Sequence, residues 1–288
     1  MNRILFVFTF FLIISCNQQN NAMKEIKRDS TVINYRMSGK GNTTLLFVHG
    51  SYIDQTYWDE QVTYFGQHYK VVTLDLPGHG LSGKERKDWS TANFAEDIID
   101  LIKELDLKNV ILVGHSWGAD VNLIAATKDP QQIIGFIAVD YYKNAATLSV
   151  PPPQVDSIKA DLKKDFAVTN ENYARMILLT AKTPAAIVSR VVKDYRNANE
   201  TMGQQVTPEI FEIYKTQQNL LPKLQTKLYL INVDYMPTNE EPLKQYCANG
   251  YKVLHINGTC HFPMIEKPKE LNNKIEQVIN EISTTKIH

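Results

Sequence analysis

Between Thr44 and Val139 the chain alternates four short, almost wholly apolar runs with longer segments of helical spacing, and this alternation constrains the fold more than any other feature. The runs are Thr44 to Val48, Val71 to Leu74, Asn109 to Val113 and Ile133 to Val139. Continuous β-branched and apolar residues without a polar alternate are what a strand buried on both faces requires. The intervening segments place Tyr57, Trp58, Val62 and Phe65, and then Phe94, Ile98, Leu101, Ile102 and Leu105, as single apolar stripes of helices. Thr91 or Asn93 is the expected cap of the second, with Glu96 in capping-box position behind Asn93. Strand, helix, strand in succession needs crossover connections, so the prediction is an α/β fold: a mostly parallel central sheet with helices on both faces. Ahead of it, Glu25 to Met37 alternates loosely about Asp29-Ser30 and reads as an edge hairpin.

After Asp140 the rhythm breaks. Residues 141–224 show no strand pattern; they hold Pro151-Pro152-Pro153 and two Thr-Pro pairs, Thr183-Pro184 and Thr207-Pro208, where threonine is expected to cap a helix with proline at its first position. Strand patterns resume at Lys227 to Ile231 and Tyr251 to Ile256, and a last helix carries Leu271, Ile275, Val278 and Ile282 on one face. The expected division is a core of residues 24–140 and 225–288 with residues 141–224 inserted as a helical cap over the sheet's C-terminal edge. At 288 residues and 43% hydrophobic the chain suffices for such a core. Lysine plus arginine equals aspartate plus glutamate at 31 each, which gives no field for a polyanion; the expected partner is a small-molecule substrate and not nucleic acid.

The N-terminus is different in kind. Arg3 precedes the apolar run Ile4 to Ile14, which is too short to span a bilayer and has the form of a signal-peptide core. Its end, Ile13-Ile14-Ser15-Cys16, resembles the lipobox of bacterial lipoproteins, which implies that residues 1–16 form a lipoprotein-type signal ending at Cys16, the lipidated residue. Residues 17–23 would be a tether, the protein would be exported, and its only membrane contact would be the N-terminal lipid. Asn17 is not the aspartate associated with inner-membrane retention, which favours the outer membrane in a host that has one. Of the other cysteines, Cys247 and Cys260, free thiols are expected.

Gly114-His115-Ser116-Trp117-Gly118 lies between the third run and its helix. Gly-x-Ser-x-Gly at a strand-to-helix turn lifts a serine Oγ above the sheet edge and aims the first amides of the helix at the same space. In an alternating sheet, ligands bind beyond the C-terminal strand ends. The polar residues there are His49-Gly50-Ser51, Asp75, Ser116, Asp140, Asp234 and His261. A serine nucleophile needs a general base, and His261, in the loop between the last strand and the last helix, is the best placed of the seven histidines.

Five pieces, taken in order, resemble the α/β-hydrolase superfamily, in its serine-nucleophile, capped, esterase-like branch: His49-Gly50-Ser51, the loop Asp75 to Ser82, the Ser116 turn, the aspartate after the penultimate strand, and Cys260 to Pro268. The resemblance implies the α/β-hydrolase fold, Ser116 as nucleophile, His261 as base, and the backbone amides of Ser51 and Trp117 as oxyanion-hole donors. It implies Asp234 as the triad acid, although the family's Gly-x-x-Asp is here Asn232-Val233-Asp234, with the aspartate one residue early; Asp140 is the competitor. His49 and His115 are expected to shape loops. The implied function is hydrolysis of a small or medium-sized ester through an acyl-enzyme, without metal or organic cofactor, and Phe166, Tyr173, Met176, Phe211 and Tyr214 are the cap residues expected to meet substrate. A serine in place of aspartate argues against the dehalogenase and epoxide-hydrolase branches. Two alternatives stand beside it: the same triad used for carbon–carbon bond hydrolysis, lactone hydrolysis or perhydrolysis, and a non-catalytic, lipid-anchored binding protein of the same fold.

Overall fold

The computed structural model describes residues 23–148 and 150–285. The expected signal segment, Cys16 and nearly all of the tether lie outside them. Strands β1 (Lys24–Arg28) and β2 (Thr31–Ser38) form the edge hairpin, closed by Asp29 and Ser30, both at positive φ as a tight two-residue turn demands. Strand β3 (Thr44–Val48), helix α1 (Asp59–Phe65), strand β4 (Lys70–Leu74), helix α2 (Thr91–Glu104), strand β5 (Val110–His115), helix α3 (Trp117–Lys128) and strand β6 (Ile133–Val139) then follow the alternation read from the sequence. Between β6 and strand β7 (Leu228–Val233) the regular elements are all helical: α4 (Pro152–Lys164), α5 (Phe166–Tyr173), α6 (Ala185–Arg196), α7 (Glu200–Glu212) and α8 (Tyr214–Leu220), with a π-helical turn at Ala174–Leu178 and a 3-10 turn at Leu221–Lys223. Helix α9 (Glu241–Tyr246), strand β8 (Tyr251–Ile256), α10 (Pro263–Glu266) and α11 (Pro268–Thr285) complete the order.

The eight strands form one sheet in the order β1-β2-β4-β3-β5-β6-β7-β8. From β4 to β8 all neighbours are parallel, and the hairpin joins antiparallel through β2 on β4. Helices α2 and α3 pack together on one face, and α1 packs with α11 on the other. The central strands are consequently buried along their whole length, β3 and β5 at every residue. Register fixes the site: His115 pairs with Val139 and Val139 with Ile231, so the residues that leave β5 and β6, Ser116 and Asp140, emerge side by side. Asp234 leaves β7 two residues further out than the position level with Asp140.

Local start signals fared less well than periodicity. Ser90, not Thr91 or Asn93, caps α2, its Oγ accepting the Asn93 amide, because the Thr91 hydroxyl is taken by Glu209 of the cap. Thr183 caps nothing, since its Oγ1 accepts the Thr180 amide, and Pro184 is the N-cap residue of α6. Thr207-Pro208 lies inside α7 rather than at a helix start. No helix among the described residues is long and apolar enough to cross a membrane.

Candidate active site

Ser116 stands at φ 51 and ψ −133, a conformation an L-residue adopts only when its surroundings impose it. The imposition is traceable. Its amide donates to Val139 O at 3.1 Å, its carbonyl accepts the Ala119 amide at 2.8 Å, and the flanking glycines admit backbone at closer range than any Cβ tolerates. A Cβ on Gly114 would lie 2.7 Å from Ala119 Cα, and one on Gly118 would lie 2.3 Å from His49 O. The two glycines therefore let α3 start directly above β5 and directly against the loop after β3.

His261 is held from three sides. Its amide donates to Leu178 O in the cap at 3.0 Å, and its carbonyl accepts from His115 Nε2 at 2.8 Å. Its Nδ1 lies 2.5 Å from Asp140 Oδ2. The remaining ring nitrogen, Nε2, is buried with no protein partner, and the ring borders the same cavity as Ser116. Asp140 is itself buried, with Oδ1 accepting from the Val233 amide at 3.0 Å and from Lys143 Nζ at 2.8 Å. Burial alone would raise its pKa; the hydrogen bond and charge of His261, with the Lys143 ammonium, overcome that and hold it below the ordinary aspartate value.

The structure thus puts Asp140, and not the expected Asp234, against the imidazole. Asp234 does not reach the imidazole: it is exposed, and its Oδ1 accepts the Gly258 amide at 2.7 Å. The cause is the one-residue shift noted in the sequence. With the aspartate early, its side chain turns outward from the end of β7, and Tyr235 takes the inner place, its hydroxyl 3.3 Å from His261 Nδ1.

Of the expected oxyanion donors, Trp117 directly follows Ser116, and Ser51 lies in the turn after β3 that packs against it. Trp117 opens α3, so its amide has no intrahelical acceptor. The turn carrying Ser51 packs on Ser116: a Cβ on Gly50 would lie 3.1 Å from Ser116 Cβ. His49 fixes that turn as a neutral ring, with Nδ1 donating to Gly50 O at 2.7 Å and Nε2 accepting the Leu76 amide at 2.9 Å. Burial lowers its pKa to about 4, and burial with the neighbouring His261 keeps His115 well below the usual histidine value. Both are structural groups. Asp75 is likewise committed, bonding the Gln55 and Leu81 amides.

A cavity of about 280 Å³ opens over Ser116 and His261. Tyr173, Phe211 and Tyr214 line it as expected, but Phe166 and Met176 do not. Phe166 is buried, edge-on to Tyr52 beneath Gly203, and Met176 points outward at 79% exposure. The lining that sequence reading missed comes mostly from the segment after β6, namely Tyr141, Tyr142 and Lys143, and from Tyr235. Behind this wall is a third carboxylate, Asp120 of α3, buried and bonded by Tyr141 Oη at 2.5 Å and by Gln217 Nε2 of α8 at 2.9 Å. Burial pushes its pKa up to about 7. Glu266 accepts the Cys260 amide and the Thr259 hydroxyl, both at 2.6 Å, and so shapes the His261 loop. Among the described residues no group of three or more His, Cys, Asp or Glu is arranged to hold a metal ion, and Cys247 and Cys260 are free thiols.

The arrangement has recognisable relatives. A family profile described as "Alpha/beta hydrolase family" matches residues 45–274. The chain is 32% identical over 109 residues to 2-(acetamidomethylene)succinate hydrolase of Mesorhizobium japonicum, covering 38% of this chain and 39% of that protein. It is 37% identical over 105 residues to an uncharacterised protein of Mycobacterium tuberculosis, of whose length the match spans 30%. Among solved structures, a thermophilic esterase from Thermogutta terrifontis superposes with a TM-score of 0.76 at 19% identity, over 91% of this chain and 99% of the other. The last likeness is one of fold. With the profile covering most of the chain, from β3 into α11, and the sheet order and strained serine turn agreeing with it, this protein belongs to the alpha/beta hydrolase family.

Proposed function

We propose that the protein is a serine hydrolase that cleaves a small or medium-sized ester, or a related acyl compound, through an acyl-enzyme on Ser116. The observation that carries the reading is the line Asp140–His261–cavity: a buried carboxylate 2.5 Å from Nδ1, and an unpartnered Nε2 on the cavity that Ser116 borders. An Nδ1–H donated to Asp140 leaves Nε2 as the free base. In the first step Ser116 Oγ bonds to the carbonyl carbon while Nε2 takes its proton, and the oxygen that becomes negative is met by the Trp117 and Ser51 amides. His261 then returns the proton to the departing alkoxide as the ester C–O bond breaks. Water, deprotonated by Nε2, attacks the acyl-enzyme; as the Oγ–acyl bond breaks, Nε2 returns that proton to Ser116 Oγ and the acid is released. One oxyanion donor is worth about 3 kcal/mol of barrier in such sites.

The cavity supports the substrate class. Its size and its lining of tyrosines, Phe211 and aliphatic residues suit a compact apolar acyl or alcohol group. A fluorophosphonate probe together with an ester panel of graded acyl length tests the proposal. The expected result is labelling and turnover of short and medium esters, both abolished by Ser116→Ala. A folded wild type that neither labels nor turns over any ester would favour the non-catalytic binding protein instead.

A further inference from the structure

We infer that Lys143 is a positioning residue for the Asp140–His261 pair and sets the acid limit below which Ser116 can no longer be activated. The inference rests on the serine-hydrolase reading. Its basis is the turn after β6, where three non-glycine residues within seven, Asp140, Tyr142 and Ala146, adopt φ of 48, 54 and 55. Such conformations persist only where partners fix them, and they cluster at functional sites. Here they fold Lys143 back over the aspartate three residues before it.

The lysine side chain is 9% exposed, and its Nζ meets Asp140 Oδ1 at 2.8 Å, Val233 O at 2.9 Å and the Tyr235 ring centroid at 4.0 Å. All three partners accept or attract positive charge, and an ammonium offers three N–H donors and no acceptor, so the niche is shaped for the charged amine. Burial lowers the pKa of that amine from the ordinary lysine value, and Asp140 opposes the shift. The two carboxylate oxygens are thereby divided. Oδ1 serves Lys143 and the Val233 amide, and Oδ2 is left for the imidazole.

The consequence is electrostatic. A lone carboxylate favours the imidazolium that forms when Ser116 loses its proton, and it favours the unproductive imidazolium of the resting site equally. A cation on the far oxygen withdraws part of that stabilisation, so replacing Lys143 by a neutral side chain is expected to favour the protonated ring. The other polar groups around His261 do not supply this charge. Tyr235 is a phenol pushed further toward its neutral form by burial, His115 is held neutral, and Asp234 is exposed and turned away to Gly258.

The test is the rate of fluorophosphonate labelling of Ser116 against pH in the full chain, for wild type, Lys143→Gln, Lys143→Met and Lys143→Arg. The expected result is an acid limb moved upward by about one pH unit in the Gln and Met variants, and kept near the wild-type position in the Arg variant. Slower labelling at every pH with an unmoved limb would make Lys143 merely structural and overturn the inference. Should Lys143→Met fail to fold, the titration of the His261 imidazole by NMR in Lys143→Gln decides: a curve shifted upward supports the role, and one superimposed on the wild type refutes it. Wild type that never labels would sink the serine-hydrolase reading itself, an outcome distinct from labelling whose pH dependence ignores residue 143.

Discussion

Asp140 and Asp234 leave neighbouring parallel strands at the same edge of the sheet, and their surroundings could hardly differ more. Asp140 is buried, strained at φ 48, and bonded by an imidazole, an ammonium and a main-chain amide. Asp234 is exposed and bonded by the Gly258 amide. A motif can say that an aspartate follows a strand; burial, partners and strain decide what the aspartate does. Here the difference is set at the end of β7: the Val233 amide caps Asp140, the next side chain, Asp234, turns outward to Gly258, and Tyr235 takes the inner place.

The sharpest way to break the contrast is Asp140→Asn. The amide keeps the shape but loses the charge, and it presents a neutral group to both His261 Nδ1 and Lys143 Nζ. The expected loss in kcat is about 10³–10⁴-fold, the scale seen when a triad carboxylate becomes an amide. Steady-state turnover of the best ester in the panel measures it, with circular dichroism confirming the fold. Loss below tenfold would return the acid role to another group.

A smaller effect is expected from the third carboxylate, which is buried like Asp140 but faces no cation. Asp120 joins α3, the wall residue Tyr141 and the cap residue Gln217. Asp120→Ala leaves two buried donors without an acceptor and should destabilise by about 2–4 kcal/mol, measured by denaturant unfolding. The pH dependence has a definite sign. The folded pKa, pushed up to about 7 by burial, lies above the ordinary value of about 4, so the contribution of Asp120 is complete below about 4 and shrinks as pH rises toward 7. The variant should therefore lose more stability relative to wild type at pH 5 than at pH 8. Equal losses at the two pH values would show that Asp120 ionises in the fold as freely as Asp140.

The same contrast marks where sequence reading succeeds and where it stops. The sheet was legible because burial on both faces writes continuous apolar runs, and the serine turn was legible because Gly114 and Gly118 are the residues that a helix starting on a strand end allows. That His261 shares a cavity with Ser116 followed from its position after the last strand. Which aspartate meets His261 did not follow: the sequence shows Asp234 one residue early, but which way its side chain then turns depends on how the end of β7 sits beside β6. Lys143, Tyr235 and Glu266 gave no signal as residue types: a lysine three positions after an aspartate is ordinarily a solvated surface pair. Cap contacts were read from aromatic content alone, which placed Tyr173, Phe211 and Tyr214 on the cavity but could not tell the core residue Phe166 or the outward Met176 from them.

The smallest expected effect is the most discriminating, because it addresses the residue that the family pattern favours. In Asp234→Asn the side-chain carbonyl can still accept the Gly258 amide, so the His261 loop keeps its anchor. The charge that is lost is exposed to solvent and screened. The expected change in kcat/KM is below about threefold, with no displacement of the acid limb of the pH profile. Asp234→Ala removes the anchor too, leaving Gly258 free to move at the start of the loop that carries His261; its expected loss is about tenfold and confined to kcat, since orientation of the base and not substrate contact is disturbed. A large loss in the asparagine variant, where only charge has gone, would mean that β7 can retract by a residue and present Asp234 to the imidazole. A large loss in the alanine variant alone would leave Asp140 as the partner of His261 and Asp234 as the pin that keeps His261 within reach of it.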